Sequence, residues 1–359
     1  MGATTLNAIG TAVKQTLGRS LIRAGATQVA TVPRSFDWAQ AATAAFAAGE
    51  YARGWELLDS RPSTRMAGLP VPHWNGQSFH GVMAVICADG LGDQILLARF
   101  IRRIKSRGAG AVVALAPCPL ARLFSRIQGV DDVFPIDRIP GGHVAVNLPW
   151  RPDWYVRLGG LPRIFGCNDP TSVPRAPYIA ADPADIARWR PRLPQGAGLR
   201  VGLVWRGDPN NVDDRQRSVP SFATLAPLWL VPDINFVSLQ VGAGEDEVRS
   251  ATKAITHLGS DVRDFADTAA VISQLDLLIS VDTSTANLAG AMGRPTWVLG
   301  QPTPEFRWLH GWYPTARVFC QHRSGEWDGA TADVAAALKT FSAEKARRDA
   351  RDTVIPRVQ

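Results

Sequence analysis

Sulfur is scarce in this chain, with four cysteines and four methionines among 359 residues. Cys87, Cys118, Cys167 and Cys320 stand far apart with no C-x-x-C spacing. That pattern argues against a disulfide-stapled secreted scaffold and a structural zinc, and for a reducing compartment. Long apolar runs are also missing: none reaches about 18 residues, so no segment is a membrane-span candidate. The N-terminus has no compact apolar core ahead of a cleavage site and makes a poor signal peptide. No G-x-x-x-x-G-K-[ST] loop is present for ATP, and no G-x-S-x-G elbow for hydrolysis. Charge is neither sparse nor patterned, at 20% of residues with a net +7. The basic residues are spread out except around Arg102-Arg103, Lys105 and Arg107 and in the Lys345–Arg351 tail. No nucleic-acid module or interleaved basic-aromatic strand appears, so nucleic acid is not an expected partner.

What remains is the make-up of a globular protein, 46% hydrophobic and long enough for two domains. The sequence divides into a helical N-terminal segment (1–75), an α/β domain (76–185), a second α/β domain (198–340) and a charged tail (341–359). Thr4–Ala30 reads as a basic amphipathic helix, able to dock on a membrane surface or a partner, or to pack on its own domain. Phe36–Ser60 reads as two short helices broken at Gly49, like one degenerate tetratricopeptide-type repeat, which cannot bury its face alone. Strands are expected at Val112–Leu115, Val133–Ile136 and Val144–Leu148, with a helix at Leu120–Ile127. The Pro/Gly-rich stretch Pro183–Gly198 reads as a linker. Beyond it come strands Arg200–Trp205, Asn235–Gln240, Leu277–Val281 and Thr296–Leu299, a helix at Ala269–Leu275 and a last helix at Thr331–Lys345. Alternation of this kind predicts doubly wound parallel sheets.

Two strand-loop-helix units carry the chemistry. In Gln274–Pro295 the strand Leu277–Val281 runs into Asp282-Thr283-Ser284 and the Ala-rich helix Thr285–Met292, which Gly293 and Pro295 stop. A loop at a strand's carboxyl end feeding a helix N-terminus is where open α/β sheets bind anions, and two hydroxyls stand beside it here. A capped helix with no ligand would show the same residues. In the second unit, strand Val82–Cys87 leads through Ala88-Asp89-Gly90-Leu91-Gly92-Asp93 into a helix expected over Gln94–Arg107. Gly90 and Gly92 permit close backbone approach, and Asp93 sits at the helix mouth as an active carboxylate or a plain N-cap. The dinucleotide fingerprint is incomplete, since Ile95 stands where its third glycine belongs.

Taken in order, GEYARGWELLDSR, GLGDQILLARFI, LRVGLVWRGDP, DDRQRSVP, NFVSLQ and DFADTAAVISQLDLLISVDTSTANLAGAMGRPTWVL resemble the glycosyltransferase family 9, or heptosyltransferase-like, domain over roughly Gly49 to Leu338. The likeness is to the bacterial branch in which that domain follows tetratricopeptide repeats. It implies a GT-B fold of two facing Rossmann-like domains, and inverting, metal-independent sugar transfer from a nucleotide-diphosphate sugar. The acceptor hydroxyl would belong to a glycan, glycolipid or protein. No cofactor or metal is expected beyond the donor co-substrate, and no D-x-D triplet is present. The resemblance implies that Asp93 is the general base. Donor binding would fall to Gly90, Gly92, Arg215, Arg217, Gln240, Asp282, Thr283, Ser284 and Asn287. Asn287 departs from the family pattern, which has histidine there, and loses any cationic or proton-shuttling role. For Arg217 the plainer alternative is a surface ion pair with Asp213 or Asp214. The implied setting is the cytoplasm or the inner face of the cell membrane. The competing reading is a catalytically weak relic of this fold that serves as a binding or scaffold protein.

Overall fold

The structure is a computed structural model, and it describes residues 38–60, 69–136, 148–211, 214–251 and 254–354. The expected Thr4–Ala30 helix lies outside these residues, as does most of the expected strand Val144–Leu148. The described residues open with a helical hairpin, α1 (Trp38–Ala47) and α2 (Tyr51–Asp59). Gly49 turns it at φ 79°, a left-handed conformation that glycine adopts at little cost.

Four parallel strands follow: β1 (Val82–Ile86), β2 (Ala111–Pro117), β3 (Asp132–Ile136) and β4 (Trp154–Arg157), in sheet order β3-β2-β1-β4. Between them lie α3 (Leu91–Leu97) and α4 (Cys118–Phe124). The helix expected over Gln94–Arg107 starts earlier and is broken, since Ala98–Phe100 is 3-10 and only Arg102–Lys105 returns to α. The proposed linker is likewise not irregular. Asp182 caps Ala184 N at 2.8 Å and Pro183 opens a helix, α5 (Pro183–Trp189). A proline at the first helical position lacks only an N–H that would be unsatisfied anyway.

The second sheet has six parallel strands: β5 (Leu199–Val204), β6 (Ile234–Ser238), β7 (Thr256–His257), β8 (Leu277–Val281), β9 (Thr296–Gly300) and β10 (Ala316–Cys320). Their order is β10-β9-β8-β5-β6-β7. The helices that position its functional loops are the single turn α6 (Asp214–Arg217), α7 (Phe265–Ile272), α8 (Ser284–Ala291) and α9 (Phe306–Leu309). The closing helix, α10, runs over Asp328–Val354, well past the expected end at Lys345. Strand order reverses between β1 and β4 in the first sheet and between β5 and β8 in the second. Crevices at such points are where doubly wound sheets bind ligands.

The inner strands of both sheets are buried on two faces, so they are near-continuous apolar runs whose residues alternate between cores. Met83 and Val85 join one core while Ala84 and Ile86 join another. In the second sheet Leu278 faces the side that holds Met83, whereas Leu277, Ile279 and Val281 face a separate core under α10. The core containing Met83 runs unbroken from the hairpin residues Phe46 and Trp55 through the first sheet to Val237 and Leu278 of the second and to Trp312 in the connection before β10.

Candidate active site

The first site loop leaves β1 at Ile86 and enters α3 at Leu91. Its helix begins three residues earlier than the sequence suggested, with extended Gly90 (φ −58°, ψ 149°) in the cap position. Asp93 is therefore not the N-cap; it stands in the first turn, where helix-end N–H groups and the dipole favour a carboxylate. The second loop leaves β8 at Val281. Thr283 is the N-cap of α8, its Oγ1 accepting from Ala286 N at 3.4 Å and lying 3.0 Å from Ser280 Oγ. Ser284 is the first residue of that helix.

These loops face each other directly. A Cβ on Gly92 would lie 3.1 Å from Asn287 Nδ2 and 3.6 Å from Ser284 Cα, so a side chain here would crowd the opposite helix start. Glycine at 92 leaves room for this approach, and the mouth of α3 sits against the mouth of α8.

Beside that contact lies a buried cluster of five charged side chains drawn from four loops. Arg307 Nη2 donates to Asp93 Oδ1 at 3.1 Å and lies 2.7 Å from Glu305 Oε2; Arg307 Nη1 is 3.7 Å from Asp282 Oδ1. Arg217, on the α6 turn after β5, pairs through Nη2 with Glu305 Oε1. All five side chains are at most 16% exposed. Charges this deeply placed persist only when paired. Burial alone would pull the Arg307 guanidinium down, but Glu305, Asp93 and Asp282 outweigh it and keep the group firmly protonated. Burial pushes the Glu305 carboxyl above the ordinary range; Arg307 opposes this, Asp282 adds to it, Arg217 opposes it and Asp93 adds to it. Four buried atoms of the cluster, Arg217 Nε, Asp282 Oδ1, Glu305 Oε2 and Arg307 Nε, make no hydrogen bond. A narrow crevice opens beside them, lined by Arg217, Asp282, Gly300, Gln301, Thr303 and Glu305.

The structure thus brings Asp93, Asp282 and Arg217 together, with Gly90, Gly92, Thr283 and Ser284 forming the backbone around them. Arg217 pairs with Glu305 of the loop after β9, whereas Asp214 accepts from Ser218 Oγ at 2.6 Å. Asp213 is outside the described residues. Arg215 is exposed on the outer side of its turn.

Gln240 stands at the expected strand end, but its amide is committed to backbone. Oε1 accepts from Trp205 N and Arg206 N, both at 3.0 Å, and Nε2 donates to Ala243 O at 2.8 Å. It shapes the loop after β5. Asn287 is buried, with Nδ2 donating to Thr283 O at 2.9 Å and Oδ1 accepting from Tyr313 Oη at 3.1 Å. It ties the start of α8 to the core. Tyr313 reaches it because residue 290 is glycine; a Cβ there would lie 2.7 Å from the Tyr313 ring.

Glu305 and Arg307 were not foreseen. They lie in Pro304–Tyr313, PEFRWLHGWY, which carries no spacing pattern and reads as a Pro- and aromatic-rich connection. One signal was available. The segment follows the buried strand β9, so it emerges at the same sheet edge as the loops after β5 and β8.

No family model matches the chain. It is 30% identical over 329 residues to Protein FlbA of Caulobacter vibrioides, a match spanning 84% of this chain and 54% of that protein. The chain therefore spans about half the length of this curated relative. Among solved structures it is similar to a glycosyl transferase family 9 protein from Veillonella parvula, with a TM-score of 0.53 at 12% identity over 76% of this chain and 99% of that one. It is also similar to the E. coli ADP-heptose lps heptosyltransferase II, with a TM-score of 0.52 at 14% identity over 74% and 99%. Neither comparison supports the tetratricopeptide kinship expected of the helical hairpin. What the likeness to solved structures shows is the architecture: this chain has the two-sheet GT-B fold of family 9 glycosyltransferases.

Proposed function

We propose that the protein is an inverting, metal-independent glycosyltransferase that moves a sugar from a nucleotide-diphosphate sugar to a hydroxyl of a glycan, glycolipid or protein. One observation carries the reading. A carboxylate at the strand end of one sheet, Asp93, and a paired-arginine cluster at the strand ends of the other meet in one buried site. The E. coli protein of similar fold is named for ADP-heptose, which makes a nucleoside-diphosphate sugar the natural donor class to test.

In this reading Asp93 takes the proton of the acceptor hydroxyl as its oxygen attacks the anomeric carbon. The bond from that carbon to the diphosphate oxygen breaks, and the nucleoside diphosphate leaves with the bonding pair. Arg217 and Arg307 balance the charge that develops on it, the part a metal ion would otherwise play. The first-turn N–H groups of α8, beside Thr283 and Ser284, add an anion-binding helix start.

Asp93→Asn separates the readings. It preserves shape and an acceptor for Arg307, so nucleotide-sugar affinity should stay near wild type while transfer falls by about two orders of magnitude or more. Turnover that survives the change, or its loss only through unfolding, would take Asp93 out of the chemistry. The scaffold reading draws on Asn287 and Gln240, both committed to internal bonds; a wild type that binds donor yet transfers to no acceptor would favour it.

A further inference from the structure

Two arginines and three carboxylates make up the buried cluster, so with every group ionised it carries one negative charge more than positive. A seat for a diphosphate should be short of anions instead. One of the three carboxylates is therefore out of place for the donor-bound state, and its position identifies it. Asp93 is fixed in the first turn of α3 and Asp282 at the end of β8. Glu305 is held differently. It follows the loop Gln301–Pro304, stands in the N-cap position of the single-turn α9, and makes no capping bond with its side chain. Its carboxylate bridges Arg217 and Arg307 at the wall of the crevice.

We propose that Glu305 is an internal counter-anion: its carboxylate fills the place between Arg217 and Arg307 that a donor diphosphate takes, and the donor must displace it from Arg217 to bind. The proposal rests on the reading of this site as a diphosphate seat. The exchange is balanced in kind, since one oxyanion replaces another on the same guanidinium groups. It also gives the unfilled cluster a reason to be stable, because two buried arginines without an anion would be costly. Burial raises the Glu305 carboxyl, so a proton is readily taken up as it leaves Arg217, with Arg307, Asp282 and Asp93 the charged groups still facing it. The consequence is selectivity. A ligand with one weak anionic charge exchanges poorly against Glu305, whereas a diphosphate reaches both arginines.

The test uses the full chain, inorganic pyrophosphate as probe, and titration calorimetry on wild type, Glu305→Gln and Glu305→Ala, with near-ultraviolet circular dichroism to establish folding. Removing the competing charge should tighten pyrophosphate binding about tenfold in both variants. The wild type should gain more than either variant when the pH is lowered from 8 to 6. Unchanged or weaker pyrophosphate binding in folded variants would overturn the proposal. Loss of the folded state in both variants would make Glu305 a structural tie and overturn it equally. Sugar transfer is measured separately. Tighter binding in the variants with no transfer by wild type would leave the counter-anion standing and remove the transferase reading. Transfer by wild type with no tightening would do the reverse.

Discussion

Arg307 is the residue on which the site turns, because it is the common partner of Asp93, Asp282 and Glu305. Replacing it with methionine keeps the volume and leaves three buried carboxylates with Arg217 as their one remaining cation in this cluster. Breaking a buried pair in this way costs about 3–5 kcal/mol, and the deficit should appear as a lowered urea midpoint. Arg307→Lys should recover part of it, though a single ammonium cannot reproduce the forked contacts to Asp93 and Glu305. An unfolding free energy within about 0.5 kcal/mol of wild type would mean the cluster is far better hydrated than its burial indicates. Asp93 and Asp282 were legible in sequence because each follows an apolar strand within a recognisable turn. Arg307 was not, because its meaning comes from a partner 214 residues away. Asn287 was noticed as a departure, yet its role depends on Tyr313, which no local pattern connects to it.

At the scale of elements, the helical hairpin was read correctly as two helices that cannot bury their own face, and the structure supplies the surface they needed. The Phe46 ring stacks on Phe306 with centroids 4.9 Å apart, and Trp55 stacks on Trp312 at 5.3 Å. Tyr51 Oη lies 2.8 Å from His310 Nδ1. The hairpin thus grips the Glu305–Tyr313 segment, with the Arg307 guanidinium 5.3 Å from the Phe306 ring. Gly54 belongs to the same fit, since a Cβ there would lie 2.7 Å from the Phe46 ring. Phe46→Ala should cost about 3–5 kcal/mol, the range for emptying a buried aromatic site, and should also weaken pyrophosphate binding by loosening α9. Stability lost without any change in binding would confine the hairpin to a packing role. The helix α5 was missed for an instructive reason. Proline and glycine density suggested a linker, but Asp182-Pro183 is a cap followed by a first-turn proline, which starts helices.

The two sheets are joined by more than the active site. Arg122 on α4 pairs with Asp185 of α5 at 2.5 Å, and with Asp264 and Asp267 of the second half at 2.8 and 3.2 Å. Arg188 and Arg263 also reach Asp267, whose side chain is fully buried. Burial alone would raise the Asp267 carboxyl; hydrogen bonds from Arg263, Arg122 and Arg188 outweigh it and hold the group well below the usual range. A carboxyl depressed in the folded state stabilises above its unfolded value near 4, and that contribution is lost as the pH falls below it. Stability should therefore decline as acid is added below about pH 4, and Asp267→Asn should flatten the decline while costing about 1.5–3 kcal/mol at neutral pH. An unaltered acid limb in Asp267→Asn would place the junction's strength elsewhere. The doubly wound architecture was legible because strand-loop-helix alternation is a local signal. The ion knot at the junction was not, since it joins three segments whose sequence spacing carries no period. Among the described residues no helix is long and apolar enough to cross a membrane.

The aromatic grip of the hairpin has a consequence for how the molecule comes into being. Tyr51 and His310 are 259 positions apart, so the hairpin leaves the ribosome well before the segment that covers it is made. At elongation rates of about 5–20 residues per second, Phe46, Tyr51 and Trp55 wait roughly 10–50 s for that surface. Through that interval the nascent chain carries an uncovered aromatic face, and it is the arrival of residues 306–312 that completes both the active site and the burial of the hairpin's aromatic face. Birth of a functional site and disappearance of a sticky one are then the same event.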